Sequence, residues 1–141
     1  MRFNFSLETL RKYRKSIEDQ RRLELASLRE KQFLEEEKLC EIRDTQRTLQ
    51  RNFQDKNGKT KGYLLYLDDL SRQSIVQRKA ISELSEKVIE ARDNLVEASK
   101  SKKIIEKLRD QKYEQYRQYL VKQESKVLDD ITTNRFSRKD V

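Results

Sequence analysis

The triplet Gly58, Lys59 and Thr60 reads "GKT", the sequence that closes a phosphate-binding loop. Such a loop needs another glycine five residues before its last one, and that position holds Phe53. It also needs a preceding β-strand, whereas the residues before this triplet follow a helical pattern. The spacing therefore argues against a nucleotide-binding site.

Other chemistry lacks its usual side chains. The chain has no histidine and a single cysteine, Cys40, so neither a Ser-His pair, a Cys-His pair nor a thiolate metal cluster can form. The acidic run at 35–37 is typical of the solvated face of a helix. Cys40 lies beside the apolar position Leu39 and is interpreted as a small apolar residue of a helix. We predict a protein that is not an enzyme and binds no cofactor and no metal.

The composition is typical of long helices. Charged residues make up 41% of the chain and apolar residues 34%, which is too little to enclose a thick core. There is no proline, and the only glycines are Gly58 and Gly62, so little interrupts a helix. No apolar run reaches the roughly 18 residues needed to span a membrane, and the first residues do not resemble a secretory signal. We predict an all-α, cytoplasmic protein.

Apolar residues recur at steps of three and four in two stretches, which we call seam 1 and seam 2. Seam 1 consists of Leu7, Leu10, Arg14, Ile17, Arg21, Leu25, Leu28, Gln32, Glu35, Leu39, Ile42, Gln46, Leu49 and Phe53. Seam 2 consists of Leu67, Leu70, Ser74, Gln77, Ile81, Leu84, Val88, Ala91, Leu95, Ala98, Lys102, Ile105 and Leu108. This average spacing of 3.5 residues predicts two coiled-coil helices.

Residues 54–62, "QDKNGKTKG", separate the two seams and contain the turn dipeptide Asn57-Gly58. A short loop lets two helices fold back so that each buries the seam of the other. We predict one monomeric domain, a long antiparallel two-helix coiled-coil hairpin. Helix 1 is expected at about 5–53, helix 2 at about 63–133 and a flexible tail at 134–141. A parallel dimer of straight helices is the competing arrangement, which the glycines disfavour.

Helix 2 is longer than helix 1 in this hairpin. If the turn centres near residue 58, residue i lies opposite residue 117 − i, and Tyr113 is expected to pack on Phe3 or Phe5. Helix 2 then continues for about 20 residues, or about 30 Å. Its apolar side chains there have no expected partner within the chain: Tyr116, Tyr119, Leu120, Val127, Leu128 and Ile131. They predict a surface for another protein, although a frayed helix whose aromatic residues only close the hairpin is the alternative.

The net charge of +8 is unevenly distributed. Residues 99–122 carry a balance of +5, residues 1–30 carry +3 and residues 63–98 carry −2. In the predicted hairpin residues 1–18 face 99–116, so the positive charge collects near the two termini. Solvated charge is common on such helices, but a bias of this kind predicts an acidic partner, a nucleic acid or an anionic membrane surface.

The opening segment "RFNFSLETLRKYRKSIEDQRRLELASL" combines an aromatic-x-aromatic pair, Leu-x-x-Leu and a basic stretch. The segment "KKIIEKLRDQKYEQYRQYLVKQESKVLDDITTNRF" combines Glu-Lys-Leu-Arg, a basic-aromatic pattern and a closing Leu-Asp-Asp. In this order the two segments resemble the flagellar export FliJ family over nearly the whole chain. The resemblance implies an antiparallel two-helix hairpin, similar to the central stalk subunit of rotary ATPases, in the type III export apparatus that builds the flagellum for motility and chemotaxis.

The resemblance also implies partners and a location. The partners are the hexameric flagellar export ATPase, the membrane export-gate protein FlhA and the flagellar export chaperones. The location is the cytoplasmic face of the cell membrane at the flagellar base, where the protein would assist the delivery of chaperone-bound substrates.

Two binding surfaces follow from the resemblance. The family's terminal end is thought to enter the pore of the ATPase ring, which implies that the following residues bind the ATPase: Lys112, Tyr116, Arg117, Tyr119, Leu120 and Lys122. The family's gate-binding stripe lies early in helix 2 at positions i, i+4, i+7 and i+11. In this sequence that stripe is Tyr66, Leu70, Gln73 and Gln77, where Gln73 replaces a small apolar residue of the family.

Two other classes of function remain open on the sequence. A generic coiled-coil tether, or a stalk subunit of another rotary ATPase, would show the same seams. A basic rod that binds nucleic acid would use the positive charge, but 25 acidic residues dilute that charge and no motif for reading bases is present. We therefore expect no nucleic-acid partner; steep salt dependence of binding to DNA would favour this alternative.

Overall fold

The computed structural model describes residues 2–54 and 61–139, so the predicted turn at Asn57-Gly58 and the "GKT" triplet lie outside the described residues. The chain forms two α-helices, α1 (Glu8–Gln54) and α2 (Lys61–Lys139). They pack against each other in antiparallel directions, and the described residues contain no β-strand. The predicted all-α two-helix hairpin is confirmed.

Both helices differ from the expected bounds at one end. α1 begins at Glu8 rather than near residue 5, because the residues before it form a turn in which the Phe5 carbonyl accepts a hydrogen bond from the Glu8 amide at 3.1 Å. α2 continues to Lys139 instead of ending near residue 133. The residues after Asn134 include neither proline nor glycine, so nothing in that stretch opposes the helix.

The chain divides into two compact units, each of which holds part of both helices. Unit 1 comprises Met1–Ile17 with Ala98–Val141, and unit 2 comprises Glu18–Glu97. In unit 2, Leu25 packs with Val88 and Ala91 at the centre of a small apolar cluster, which Leu28 and Leu95 extend. The small Ala91 side chain leaves room for the leucines of α1. In unit 1, Phe5 and Ile105 are buried.

The burial pattern follows the two seams. Every residue of seam 2 is buried or half-buried, and so is every residue of seam 1 except Leu7, which is 38% exposed. Leu7 precedes the first turn of α1, so it has no helical neighbours to cover it. Burial of apolar area along the seams is the main favourable contribution that holds the helices together.

Glu18 is buried to 1% exposure although it does not belong to seam 1. Seam 1 takes two successive four-residue steps, Ile17 to Arg21 to Leu25, where a heptad repeat would alternate three and four. Such an irregularity changes the local winding of a coiled coil and turns an adjacent position inward. The Glu18 carboxylate forms an ion pair with Arg22, in which Nη2 lies 2.7 Å from Oε1, and this offsets part of the cost of burying its charge.

Candidate partner-binding surfaces

An open groove of about 620 Å³ lies between α1 and α2 in unit 2. All four residues of the expected gate-binding stripe line this groove: Tyr66, Leu70, Gln73 and Gln77. α1 contributes the other wall, which includes Lys38, Glu41, Ile42 and Thr45. We call this surface the Tyr66 groove.

The four residues of the stripe have different environments. Tyr66 is 46% exposed and Leu70 only 4%. Gln73 is exposed and donates a hydrogen bond to Asp69 Oδ2 at 3.1 Å within its own helix. Tyr66 and Gln73 are therefore accessible to a partner, whereas Leu70 is part of the core and forms the floor of the groove.

Gln77, the fourth residue of the stripe, connects the two helices. Its side-chain amide donates a hydrogen bond to the Glu35 carbonyl at 2.8 Å and another to the Glu35 carboxylate. This hydrogen bond to the carboxylate, aided by Lys38 Nζ at 3.3 Å, lowers the pKa of Glu35 below the usual value of a glutamate. Gln77 therefore stabilises the groove from within.

The α1 wall of the Tyr66 groove was not predicted from the sequence. The expected register, in which residue i faces residue 117 − i, places residues 44 and 51 opposite Gln73 and Tyr66. Thr45, which lines the groove, is adjacent to the first of these positions. The rule places residue 40 opposite Gln77, whereas Gln77 contacts Glu35, so the register in this part of unit 2 is shifted and the rule locates the second wall only approximately.

In unit 1, Phe3 packs against two tyrosine rings of α2. Its ring centroid lies 5.3 Å from that of Tyr113 in an edge-to-face arrangement and 5.5 Å from that of Tyr116. The expected contact between Tyr113 and Phe3 is confirmed. The expectation that Tyr116 lacks a partner within the chain is wrong: residues three apart lie on one face of a helix, so one phenylalanine contacts both rings and leaves Tyr116 half-buried.

Polar contacts organise the first two turns of α1 and join them to α2 in unit 1. Arg11 Nε donates a hydrogen bond to Glu8 Oε2 at 3.0 Å, and Arg109 Nε lies 3.7 Å from the same oxygen. Arg14 Nη1 donates to the Ser101 carbonyl at 2.9 Å. The hydrogen bond from Arg11 is the largest influence that lowers the pKa of Glu8, and it raises the pKa of Arg11.

Beyond Tyr116, all residues from 117 to 136 are exposed, and we call this part of α2 the C-terminal segment. Its apolar side chains that are between 41% and 66% exposed are Tyr119, Leu120, Val121, Val127, Leu128, Ile131 and Phe136. Leu120, Val127 and Leu128 line one shallow groove. Leu120, Val127 and Ile131 are separated by seven and four residues, so they share one face of the helix.

Three cationic residues near the start of the C-terminal segment are also accessible. Lys112, Arg117 and Lys122 are exposed, and the latter two line a depression with Val121. Five of the six residues expected to bind the ATPase are thus exposed, while Tyr116 is half-covered by Phe3. Val121 and Phe136 were missed; Phe136 lies beyond residue 133, where helix 2 was expected to end.

Metal-binding clusters, membrane-spanning helices and reactive cysteines are the other features that bear on function. Within the described residues, no group of three His, Cys, Asp or Glu side chains could hold a metal ion. None of the described helices is long and apolar enough to cross a membrane. Cys40 is exposed and free.

The family model described as the flagellar FliJ protein matches residues 3–140. The match includes both helices, the Tyr66 groove and the C-terminal segment. No curated protein and no solved structure matches the chain.

Proposed function

The chain belongs to the flagellar FliJ family, and we propose that it links the ring of the flagellar export ATPase to the membrane export gate. Membership of this family gives the chain a role in flagellar export, as a non-catalytic component. In the proposal the C-terminal segment binds the ATPase and the Tyr66 groove binds the cytoplasmic domain of the gate protein FlhA. The protein would act at the cytoplasmic face of the membrane and assist the delivery of substrates by export chaperones.

The observation that carries the proposal is the exposure of the C-terminal segment. A stretch of 20 helical residues, 117–136, is exposed throughout, and Leu120, Val127 and Ile131 form an apolar face along it. Single exposed apolar residues are common on protein surfaces, but a continuous stripe on one helix is typical of a binding site. The FliJ resemblance, in which the terminal end enters the ATPase ring, supports the ATPase as its partner.

The side chains of this surface would make different contributions. Apolar anchors that become well packed on binding typically contribute about 1–3 kcal/mol each, and Tyr119 and Leu120 are the best placed. Lys112, Arg117 and Lys122 would mainly accelerate encounter with an acidic surface and make binding sensitive to salt. Tyr116 would hold the start of the segment against Phe3 rather than act as a free anchor.

For the gate, the proposal assigns contact to Tyr66 and Gln73, the two accessible residues of the stripe. Leu70 would shape the groove from below, and Gln77 would keep its two walls together through Glu35. Tyrosine is well suited to such a position because it offers a large rigid ring with a polar end.

The experiment measures binding of the purified chain to the export ATPase of the same organism, together with stimulation of ATP hydrolysis. The test variant is Tyr119→Ala, Leu120→Ala and Val127→Ala combined. The control is Tyr13→Ala with Leu23→Ala, which removes side chains that are 62% and 72% exposed on α1. We expect the test variant to bind at least about tenfold more weakly with an unchanged melting temperature, and the control to behave as wild type. Equal binding by the test variant would exclude the C-terminal segment as the ATPase site.

A further inference from the structure

α2 has a second regular row of residues outside its core seam. The row proceeds in alternating steps of four and three over residues 71–96, nearly four heptads. We call it the outer seam, and it consists of Ser71, Ile75, Arg78, Ser82, Ser85, Ile89, Arg92 and Val96. Its members are exposed, except for the half-buried Ser85. Ile75, Ile89 and Val96 are 66%, 56% and 45% exposed, which is unusual for three β-branched aliphatic residues at heptad spacing.

The outer seam lies on a different side of the helix pair from the Tyr66 groove. Gln73, which lines that groove, directly precedes the core residue Ser74, whereas Arg78 directly follows the core residue Gln77. At 3.6 residues per turn, Gln73 and Arg78 point about 140° apart around the axis of α2. The outer seam is therefore a separate surface within unit 2.

α1 adds residues to the same side. Lys38 directly precedes the core residue Leu39 and lines the Tyr66 groove. Residues of α1 that directly follow a core position therefore lie on the side of the helix pair away from the Tyr66 groove, which is the side of the outer seam. Arg29 follows Leu28 in this way, and Phe33, which is 59% exposed, follows Gln32. Both helices thus offer apolar and cationic side chains on this face.

The charge of the outer seam differs from that of its surroundings. It contains no acidic residue, while Glu83 and Glu90 occupy the positions next to Ser82 and Ile89. Arg78 and Arg92 form no ion pair with any residue in the ranges 2–54 and 61–139. These two guanidinium groups are 14 residues apart, or about 21 Å along the helix.

We propose that the outer seam binds an acidic amphipathic helix of another protein. The alternating steps of three and four match the apolar repeat of a helix that packs alongside. The serines permit close approach of that helix, and Ile75, Ile89 and Val96 provide its apolar contacts. Arg78 and Arg92 pair with carboxylates that lie two heptads apart on the bound helix.

Two other occupants fit the outer seam less well. In an antiparallel pair of copies centred on Ser85, Arg78 of each copy would face Arg92 of the other, and like charges oppose such a contact. An anionic membrane is a poor match because serines separate the apolar residues of the outer seam, whereas interfacial helices present a continuous apolar face.

The test uses a fluorescent helical peptide of 28 residues with Leu at every a and d position and Glu at every e and g position. Its glutamates disfavour self-association. Binding to the full chain is followed by fluorescence anisotropy. The variant Ile75→Glu with Ile89→Glu should bind this peptide at least about tenfold more weakly. The matched control Ile104→Glu changes an isoleucine of α2 that is 67% exposed but lies outside the outer seam, and it should bind as wild type does.

A charge reversal separates pairing with carboxylates from simple apolar contact. The variant Arg78→Glu with Arg92→Glu should reject the acidic peptide and bind the same peptide with Lys at its e and g positions. Melting temperatures should stay unchanged, since all four side chains are exposed. If Ile75→Glu with Ile89→Glu melts at a lower temperature than the wild type, Ile75→Ser with Ile89→Ser is tested in its place. The serine variant should also bind the peptide more weakly than the wild type.

Several results would overturn the proposal. The proposal fails if the wild type does not bind the acidic peptide, or if Ile75→Glu with Ile89→Glu binds it as tightly as the wild type does. Binding to vesicles of phosphatidylcholine and phosphatidylglycerol in place of the peptide would identify a membrane-binding surface. A dimer in analytical ultracentrifugation that is abolished by Ile75→Glu with Ile89→Glu would identify a second copy as the occupant.

Discussion

Leu70 and Tyr66 lie four residues apart on α2, and replacing each by alanine should affect different properties. Leu70 is 4% exposed and Tyr66 is 46% exposed. Truncation of a buried leucine to alanine lowers the free energy of unfolding by about 2–5 kcal/mol. Because an open groove lies beside Leu70, water and neighbouring side chains can fill part of the space that the leucine leaves. We therefore expect a loss of about 2–3 kcal/mol for Leu70→Ala, or a melting temperature lower by about 5–10 °C. For Tyr66→Ala we expect a loss below about 1 kcal/mol.

The assay combines thermal melts, followed by circular dichroism at 222 nm, with calorimetric titration of the gate's cytoplasmic domain well below either melting temperature. Tyr66→Ala should bind the gate domain about tenfold more weakly and melt like wild type. Tyr13→Ala, which removes a tyrosine that is 62% exposed on α1, should change neither property. If Leu70→Ala melts like wild type, Leu70 does not stabilise the core as expected. If Tyr66→Ala binds the gate domain as tightly as wild type, Tyr66 is not part of the gate site.

Three further predictions concern stability. Phe3→Ala should lower the melting temperature because it uncovers two tyrosine rings, whereas Tyr119→Ala should not; equal melts for the two variants would contradict this. Glu18→Leu should leave the melting temperature unchanged or raise it, because an apolar side chain avoids the cost of a buried charge, and a clearly lower melt would show that the carboxylate is needed. The Glu35 carboxyl has a lowered pKa in the folded chain, so its contribution to stability is present above the unfolded pKa of about 4.3 and is lost as the pH falls through the lower folded pKa. The difference in melting temperature between wild type and Gln77→Leu should thus shrink between pH 6 and pH 3, and a constant difference would be the contrary result.

The helix pairing was predictable because it depends on one simple quantity, the spacing of apolar residues. Seam 1 and seam 2 identify the buried face of each helix almost residue by residue. The contact of Phe3 with Tyr113 followed from the length of the two helices and the position of the turn. The buried face of each helix depends on local spacing, and the Phe3 contact depends on the register of the hairpin.

Other features depend on geometry that spacing alone does not give. The burial of Glu18 follows from a local change of winding at two successive four-residue steps of seam 1. These steps are visible in the sequence, but spacing alone does not show that they turn Glu18 inward. The ring of Phe3 reaches Tyr116 as well as Tyr113 because the segment before α1 packs over the helix. The second wall of the Tyr66 groove required both helices to be considered together.

The central claim is that the exposed C-terminal segment of α2 binds the flagellar export ATPase, and a chain ending at residue 116 tests it most directly. Residues 117–136 are exposed, so their removal should leave the melting temperature of the rest nearly unchanged. Binding of this shortened chain to the purified ATPase, measured beside the full chain, should be abolished together with its stimulation of ATP hydrolysis. If the shortened chain binds and stimulates the ATPase as the full chain does, the ATPase site lies elsewhere and the account is wrong.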